Sequence, residues 1–212
     1  NILTFLDNTW GTPLYLKPLK IGFDMSFCSA TKYFSGHSDA MGGSLAVNKK
    51  VFKKVMFFYK LSGYRMSADE AYLIIRGLRT LDIRLKKHHE NTKIIINFLK
   101  KQKKIKEILY PHKPSSKSYK LWKKYYSGAN GLFSIVIKSK KKSSVVRFVN
   151  SLELFGIGYS WGGFESLALL QDLRAKTKYT EARQYLRFTK DEHIVRLHVG
   201  LEDPKDLIQD LK

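Results

Sequence analysis

Short apolar runs alternate with polar, turn-rich segments over the first fifty residues. Runs at 1–6, 21–27 and 43–47 have the length of β-strands. The first two are separated by a stretch rich in glycine and proline, long enough for the crossover of about a dozen residues that parallel strands require. The pattern therefore predicts an α/β sheet whose first two strands are parallel neighbours.

The pattern changes from strand to helix at Ser67. The segment Ser67-Ala-Asp-Glu70 has the spacing of a capping box, and few helix breakers follow it up to about Lys104. We expect one long helix here, or two helices joined end to end.

A second unit of mixed helix and strand character is predicted after this helical region. Residues 132–137 and 194–199 are strand candidates, and residues 143–154 between them predict a helix. Together they indicate an α+β domain. Residues 206–212 have the pattern of a helix cut before any C-cap, and the chain opens directly on an apolar run without an initiator Met. We therefore expect both ends to be truncated.

The composition is that of a globular protein. Hydrophobic residues make up 43% of the 212 residues, enough to build the core of one large domain or two small ones. The single cysteine, Cys28, cannot form an intrachain disulfide, and no signal-peptide pattern opens the chain. No apolar run reaches the length of a membrane helix. These features favour a soluble protein of the cytoplasm with no membrane partner.

The net charge of +21 raises the expectation of an anionic partner. However, the basic runs at 100–104 and 138–142 consist mainly of lysine and lack the interleaved arginine and aromatic residues of a nucleic-acid platform. A solvated surface explains them better, and no nucleic-acid partner is expected. A basic nucleic-acid-binding module without catalysis is kept as the alternative from another class.

Polar residues cluster directly after two of the apolar runs. Asp7 follows the first run, and Ser29, Thr31 and Lys32 follow the second. If the two strands are parallel neighbours, these side chains converge at one carboxyl edge, where open α/β sheets bind ligands. A carboxylate, two hydroxyls and a lysine suit a phosphorylated cofactor with a cationic ring and an aldehyde. A surface salt bridge beside loop hydroxyls would give the same pattern.

The amino-acid sequences of several segments are more specific than their pattern of apolar and polar residues. The segment Ser29-Ala-Thr-Lys-Tyr-Phe-Ser-Gly-His-Ser-Asp39 resembles the cofactor-lysine segment of the Cys/Met-metabolism family of pyridoxal-phosphate (PLP) enzymes, the trans-sulfuration family. Asp7-Asn-Thr-Trp10 resembles the upstream aspartate motif of that family. Further similar segments follow in order along nearly the whole chain: Arg76-Gly-Leu-Arg-Thr-Leu81 with His88 and His89, Gly131-Leu-Phe-Ser134, and Arg196-Leu-His-Val-Gly-Leu-Glu-Asp203.

The resemblance implies a fold of the aspartate-aminotransferase type, known as fold type I. Residues 1–78 would form the C-terminal part of the PLP-binding large domain, and residues 79–212 a long linking helix with a smaller α+β domain. The N-terminal half of such enzymes supplies an aromatic residue that stacks on the cofactor, a glycine-containing phosphate loop and residues from a neighbouring subunit. That half is expected to be missing here. A homo-oligomer, a tetramer, is expected by the same resemblance.

The resemblance also assigns roles to the residues at the sheet edge. Lys32 would hold the cofactor and take the substrate's Cα proton, for which its amine must lose its usual proton. Asp7 would pair with the pyridine nitrogen of PLP. Ser29 and Thr31 would bind the phosphate, with Ala30 facing away by strand alternation.

A second group of residues is assigned to the substrate. Arg196 would bind the α-carboxylate of a sulfur amino acid by a two-pronged hydrogen bond, although a surface ion pair with Glu202 or Asp203 is the competing interpretation. Tyr159 and Ser160 would lie along the substrate, and Trp161 would form a wall. For these three residues plain packing is the alternative interpretation.

Within the family, Tyr159-Ser-Trp-Gly-Gly-Phe-Glu-Ser-Leu167 resembles the bacterial β-lyase branch. That branch implies α,β-elimination of L-cystathionine to homocysteine, pyruvate and ammonia, a step in methionine biosynthesis. A γ-type relative, a γ-synthase or a γ-lyase, is the alternative.

Two features that could suggest a functional site, a group of metal-ligating residues and the single cysteine, are interpreted as structural. His37 and Asp39 do not form a compact, known ligand spacing with His88, His89 or His198, so no metal is expected. Cys28 lies within an apolar strand, where free cysteine is commonly buried packing.

Overall fold

The computed structural model describes residues 2–171, 189 and 191–212. Its first sheet contains β1 (Phe5–Asp7), β2 (Met25–Ser29) and β3 (Gly43–Val47), in that order. β1 and β2 are parallel, as predicted, with Asp7 opposite Phe27, and β3 is antiparallel to β2. The two polar strand ends therefore meet at one edge of the sheet.

The first two strands begin later than the apolar runs suggested. A short helix, α1 (Thr12–Tyr15), and a 3₁₀ turn at Pro18–Ile21 occupy the crossover. The turn ends at Gly22, whose φ of +103° lies in the left-handed region that glycine adopts without strain. The start of the predicted strand at 21–27 was wrong, because its first residue belongs to this turn. The predicted strand at 43–47 is confirmed.

Three helices follow the first sheet: α2 (Lys49–Ser62), α3 (Ala68–Leu78) and α4 (Leu81–Leu99). The predicted capping box is confirmed in part, since the Ser67 hydroxyl accepts the Glu70 N–H at 3.1 Å as an N-cap. The Glu70 carboxylate accepts from the Ser67 hydroxyl at 3.0 Å, in place of the reciprocal bond to the Ser67 N–H. α3 and α4 are the two helices joined end to end, and α4 ends at Leu99 rather than near 104. The sequence pattern did not predict α2.

The second sheet has five strands in the described residues, and two of them were predicted. Their spatial order is β4 (Ile105–Leu109), β5 (Leu132–Lys138), β8 (Glu192–His198), β7 (Leu167–Gln171) and β6 (Gly156–Ile157). β8 lies between β5 and β7 and is antiparallel to both. Its central position holds the side chains of β8 rigidly.

The described residues of this part of the chain form three further helices: α5 (Tyr119–Tyr125), α6 (Lys142–Asn150) and α7 (Pro204–Asp210). α6 ends four residues before the predicted boundary of 154. That the last helix is cut before its C-cap stays a prediction. The Asp203 side chain caps the start of α7 and the helix ends at Asp210, with Leu211 as its C-cap.

Two hydrophobic clusters hold the structure together. The larger lies between the second sheet and helices α4, α6 and α7, and the smaller surrounds the end of β2. Leu85 of α4 belongs to the smaller cluster and Ile95 to the larger, so α4 serves both. The division of the chain after residue 78 stays a prediction. No helix among the described residues is long and apolar enough to span a membrane.

Candidate active site

A turn of π-helix at Ala30–Phe34 follows β2 directly and displays Lys32. Lys32 has φ −88° and ψ −122°, which interrupts the helical geometry of the turn. The buried guanidinium of Arg84 fixes the far side of the turn by donating to the carbonyl of Tyr33 at 2.9 Å and that of Gly77 at 2.7 Å. These contacts hold the backbone of the turn, so the Lys32 side chain projects from a fixed base.

The amine of Lys32 lies among residues from distant parts of the chain. Its Nζ donates to Ser160 Oγ at 3.0 Å and lies 5.6 Å from the centroid of the Trp161 ring. Burial, and then the charge of Arg196, lower the pKa of Lys32 below its usual value. The structure thus brings together Lys32, Ser160, Trp161 and Arg196, as the sequence interpretation required.

Residues 158–163 form the loop that presents Ser160 and Trp161 to the lysine. Gly162 has a φ of +87°, and a Cβ atom there would lie 2.9 Å from the Tyr33 nitrogen. Only glycine allows the loop to approach the Lys32 turn this closely. Tyr159 is different from its neighbours, because the residue is 84% exposed and its hydrogen bond to the site is made by its carbonyl, which accepts from Arg196.

Arg196 projects from β8 onto the same loop. Its Nη2 donates to the carbonyls of Gly158 at 3.1 Å, Tyr159 at 2.7 Å and Ser160 at 3.1 Å. Within the described residues the guanidinium makes these hydrogen bonds through Nη2 alone, so Nη1 and Nε can serve a ligand. The guanidinium is therefore oriented before any ligand arrives.

The interpretation of Arg196 as a surface partner of Glu202 or Asp203 was wrong. The Glu202 carboxylate accepts from the Ser166 N–H at 2.6 Å and the Ser166 hydroxyl at 2.9 Å. Asp203 accepts the Lys205 N–H at 2.7 Å as the cap of α7. Both carboxylates have structural partners elsewhere.

Asp7 lies at the end of β1, joined to β2 through a residue that the sequence interpretation missed. Its Oδ1 accepts from the Thr9 N–H at 2.9 Å and from the Thr9 hydroxyl at 2.5 Å. The Thr9 hydroxyl oxygen in turn accepts the Ser29 N–H at 2.8 Å. Only Oδ1 is used within the described residues, which leaves Oδ2 for a ligand. The role of Thr9 can be recognised only in the structure, because it depends on this hydrogen bond with the backbone of Ser29.

Ser29 and Thr31 lie beside Asp7, but the geometric argument for them was wrong in part. β2 ends at Ser29, so strand alternation does not extend to Thr31, which lies in the helical turn. Thr31 Oγ1 accepts the Gly42 N–H at 3.0 Å. Its hydroxyl donates to the Gly42 carbonyl at 3.4 Å, a long contact that a stronger acceptor could replace. Ala30, predicted to face away from the phosphate, is buried.

A buried aromatic cluster lies behind the lysine turn. Tyr33, His88 and His198 pack against one another with ring centroids 5.1 to 6.0 Å apart. Burial lowers the pKa of His88 to about 3 and that of His198 to about 4, so both imidazoles are neutral at pH 7. Among the described residues no group of three metal-ligating side chains occurs.

Cys28 is a packing residue, as predicted. It is buried in β2 within the smaller core cluster. Burial, with a smaller contribution from Asp7, raises the pKa of its thiol to about 11. The thiol therefore stays protonated at neutral pH and is a poor nucleophile.

The whole chain, residues 1–212, matches the family model described as Cys/Met metabolism PLP-dependent enzyme. The chain belongs to this family. Three similar curated proteins illustrate it. A putative cystathionine beta-lyase of Rhizobium johnstonii is 37% identical, and the cystathionine beta-lyase MetC of Escherichia coli is also 37% identical. An L-alanine/L-glutamate racemase of Wolbachia pipientis is 39% identical.

The alignment to each of these proteins covers 99% of this chain and 51 to 52% of the relative. The chain therefore spans about half the length of the curated relatives it matches. A solved cystathionine gamma synthase from Xanthomonas oryzae, in complex with aminoacrylate and cysteine, has a TM-score of 0.88 and 30% identity. It covers 100% of this chain and 54% of the solved one. The predicted fold, the C-terminal part of a fold type I PLP enzyme, agrees with this similarity.

The family and its solved members are PLP-dependent, and the residues of this site fit that cofactor. The Lys32 amine has a lowered pKa, which favours the neutral form that reacts with an aldehyde. Asp7 keeps one carboxylate oxygen for a cationic ring nitrogen. The Ser29 and Thr31 hydroxyls lie beside them at the same edge of the sheet.

Proposed function

We propose that the protein is a PLP-dependent carbon–sulfur lyase that cleaves L-cystathionine by α,β-elimination. The observation that carries the proposal is the convergence of Lys32, Ser160 and Arg196 in one place, with the lysine pKa lowered. A base and a carboxylate-binding group so placed are what Cα proton removal from an amino acid requires. Similarity to cystathionine beta-lyases of several bacteria supports the choice of substrate.

PLP, when bound, supplies an electron sink for the pair left on Cα after the proton is removed. Asp7 would keep the ring nitrogen of the cofactor protonated, because a carboxylate nearby favours the charged form. The hydrogen bond from the Thr9 hydroxyl fixes the orientation of the Asp7 carboxylate, so that its free oxygen, Oδ2, can contact the ring nitrogen. Ser29 and Thr31 would donate to the phosphate.

Arg196 would bind the substrate α-carboxylate through a fork of Nη2 with Nη1 or with Nε, so Nη2 would share its N–H groups between the substrate and the loop carbonyls. A two-pronged contact fixes the plane of the carboxylate and so the direction of the Cα–H bond. Trp161 would limit the space beside the lysine. The result is one orientation of the substrate, with Cα–H facing Nζ.

Lys32 would take the Cα proton once its amine is neutral, and Ser160 would hold Nζ in position between transfers. Loss of that proton is followed by cleavage of the Cβ–S bond, and the sulfur leaves with the electron pair and is protonated to homocysteine. The remaining three carbons and the amino group take up one water and yield pyruvate and ammonia. The atoms balance as cystathionine plus water giving these three products.

Two other activities use the same first step and are the competing candidates. A γ-type reaction is represented by cystathionine gamma-lyases at 34 to 35% identity and by the gamma synthase structure. A racemase is represented by the relative with 39% identity, and it would return a proton to the opposite face of Cα. A basic nucleic-acid-binding role without catalysis would instead show steep salt-dependent binding to DNA.

The decisive assay incubates the purified full-length protein with PLP and L-cystathionine. The proposal expects pyruvate and homocysteine, whereas 2-oxobutyrate would indicate the γ-type reaction. A parallel reaction with L-alanine, followed by chiral chromatography, tests for D-alanine. Rapid formation of D-alanine without pyruvate from cystathionine would replace the lyase proposal with the racemase.

The proposal includes an assembly and a place in the cell. We propose a homotetramer in the cytoplasm that serves methionine biosynthesis. Support for an assembly comes from the exposed aromatic and aliphatic side chains of α2, among them Phe57, Phe58 and Leu61. Light scattering after size-exclusion chromatography would give the mass, and a monomer would contradict the assembly.

A further inference from the structure

The loop at 158–163 is held against Lys32 by two side chains of one strand. Arg196 and His198 are two positions apart on β8 and therefore project from the same face. Arg196 binds the carbonyls of the first half of the loop. His198 binds the second half through Gly162, whose nitrogen lies 3.0 Å from His198 Nε2. The Gly163 oxygen also lies near Nε2, at 3.1 Å, but it cannot donate a proton, so the Gly162 N–H makes the hydrogen bond.

The Gly162 contact fixes the protonation of His198. A backbone N–H always carries its proton, so the N–H of Gly162 donates and Nε2 accepts. The proton of the neutral imidazole is then on Nδ1. His198 is 1% exposed, and burial lowers its pKa to about 4, so the accepting form is the form present at neutral pH.

His88 supports this arrangement from α4. Its Nδ1 donates to the Val199 carbonyl at 2.8 Å, which leaves Nε2 as an acceptor. Within the described residues His88 Nε2 and His198 Nδ1 are both buried without a hydrogen-bond partner, and the two rings lie 5.1 Å apart between centroids. The acceptor atom on the neighbouring His88 ring, Nε2, favours the His198 tautomer that carries its proton on Nδ1. This is the tautomer that the Gly162 contact needs.

The position of Gly162 matters because it touches the lysine turn. A Cβ atom at Gly162 would lie 3.1 Å from the Lys32 Cβ and 2.9 Å from the Tyr33 nitrogen. Any movement of Gly162 therefore displaces Ser160 and Trp161, its near neighbours in the loop, relative to Lys32 Nζ.

We propose that His198 is a positioning residue that, supported by His88, holds the 158–163 loop against the lysine turn through the Gly162 N–H and so keeps Ser160 within hydrogen-bond reach of Lys32. The proposal rests on the proposed function only in that Lys32 is the reacting amine. Neither histidine touches Lys32 Nζ, so both act through the loop.

The test compares His198→Gln with His198→Asn in the full-length protein. A glutamine can place its oxygen near the position of Nε2, whereas the shorter asparagine places it near Nδ1 and loses the Gly162 contact. The matched control is His193→Gln, a buried histidine of the same strand whose Nε2 contacts the Ser139 carbonyl, outside the loop.

Amide hydrogen exchange at Gly162, followed by mass spectrometry with fragmentation, is the first measurement and needs no activity. We expect exchange at least tenfold faster in His198→Asn, and within threefold of wild type in His198→Gln and in the control. Equal exchange in the asparagine and wild-type proteins would overturn the proposal. Equally faster exchange across β5, β7 and β8 would indicate loss of the fold rather than of one contact, and the comparison is then made with His88→Gln. Wild-type exchange at Gly162 in a folded His88→Gln would overturn the proposal.

Steady-state kinetics with cystathionine is the second measurement. His198→Asn should lower kcat at least tenfold with KM within threefold, because Arg196 still binds the carboxylate, and His198→Gln should restore most of kcat. If His198→Asn does not fold, His88→Gln takes its place, with the same expected direction. If the wild-type protein has no lyase activity, the exchange result alone decides the role of His198, and only the proposed function fails.

Discussion

Arg196 serves two parts of the site with one guanidinium. Nη2 binds three carbonyls of the 158–163 loop, and a two-pronged contact with a carboxylate would pair Nη2 with Nη1 or with Nε. A lysine has a single point charge and could not do both. On the proposed function, the side chain would therefore couple the shape of the loop to the recognition of the substrate.

Arg196→Lys should keep the fold and lower kcat/KM by at least ten- to a hundredfold. A lost charge-assisted hydrogen bond of about 1.5 to 3 kcal/mol corresponds to that range, and a displaced loop adds to it. Steady-state kinetics checks the value, with the exposed Arg147→Lys of α6 as the control. Near-wild-type efficiency would remove Arg196 from the site.

Asp7→Asn should lower kcat by two to three orders of magnitude while some PLP stays bound. The amide oxygen can still accept from Thr9, so the local structure is kept and only the charge is lost. Loss of one well-placed electrostatic contact costs roughly 3 to 4 kcal/mol in comparable sites. The exposed Asp82→Asn is the control, and an unchanged kcat would exclude the role of Asp7 at the ring nitrogen.

At the residue scale, the sequence predicts the side chains that are expected to contact the cofactor or the substrate. It does not predict the side chains that act by hydrogen bonding to the backbone. Lys32, Arg196 and Ser160 could be predicted from the wording of their segments. Thr9 and Arg84 could not, because their contacts are with a strand end and with carbonyls of a turn. Which carbonyls are near which side chain depends on the tertiary structure.

At the element scale, the turn of Lys32 depends on helices that follow it by some fifty residues. Arg84 of α4 is 6% exposed and donates to carbonyls of the turn and of α3, and its Nε donates to Thr80. Gly77 of α3 packs on the turn so closely that a Cβ atom would lie 2.2 Å from the Phe34 oxygen. The turn is therefore rigid by contact with α3 and α4.

Arg84→Met should lower the free energy of unfolding by about 3 kcal/mol or more. The substitution leaves buried carbonyls without donors, and each such group costs about 1 to 3 kcal/mol. Urea denaturation followed by circular dichroism gives the value, with Arg76→Met on the exposed face of α3 as the control. A loss no larger than that of the control would show that the contacts of Arg84 do not stabilise the turn.

The buried histidines between α4 and β8 predict a dependence of stability on pH. The folded pKa values of His88 and His198 are about 3 and about 4, well below the unfolded value of about 6.5. The unfolded chain therefore binds more protons, so stability is fully present above about pH 6.5 and falls as the pH is lowered. Each histidine contributes up to about 1.4 kcal/mol per pH unit.

Urea denaturation between pH 7.5 and 4.5, where carboxylates stay largely ionised, measures this slope. His198→Gln should make the slope shallower by the contribution of one histidine, because glutamine does not titrate. His193→Gln, which replaces a buried histidine of the same strand outside the loop, is the reference variant. An identical slope in wild type and His198→Gln would contradict burial of a neutral His198.

At the scale of the whole molecule, the α/β class and the α+β character of the second part could be predicted from periodicity and crossover length. The strands β4, β6 and β7 could not. β6 has two residues, and Lys106 and Glu107 interrupt the apolar pattern of β4. Helix α2 was missed because its exposed face is apolar as well as basic, which hides the amphipathic pattern.

Lys32 is the lysine that we expect to bind PLP. The measurement is borohydride reduction of the PLP-loaded full-length protein, followed by peptide mass spectrometry. We expect the reduced cofactor on Lys32 and on no other lysine, with no label and no turnover in Lys32→Ala. A labelled peptide from any other position, or unchanged labelling and turnover in Lys32→Ala, would contradict the account.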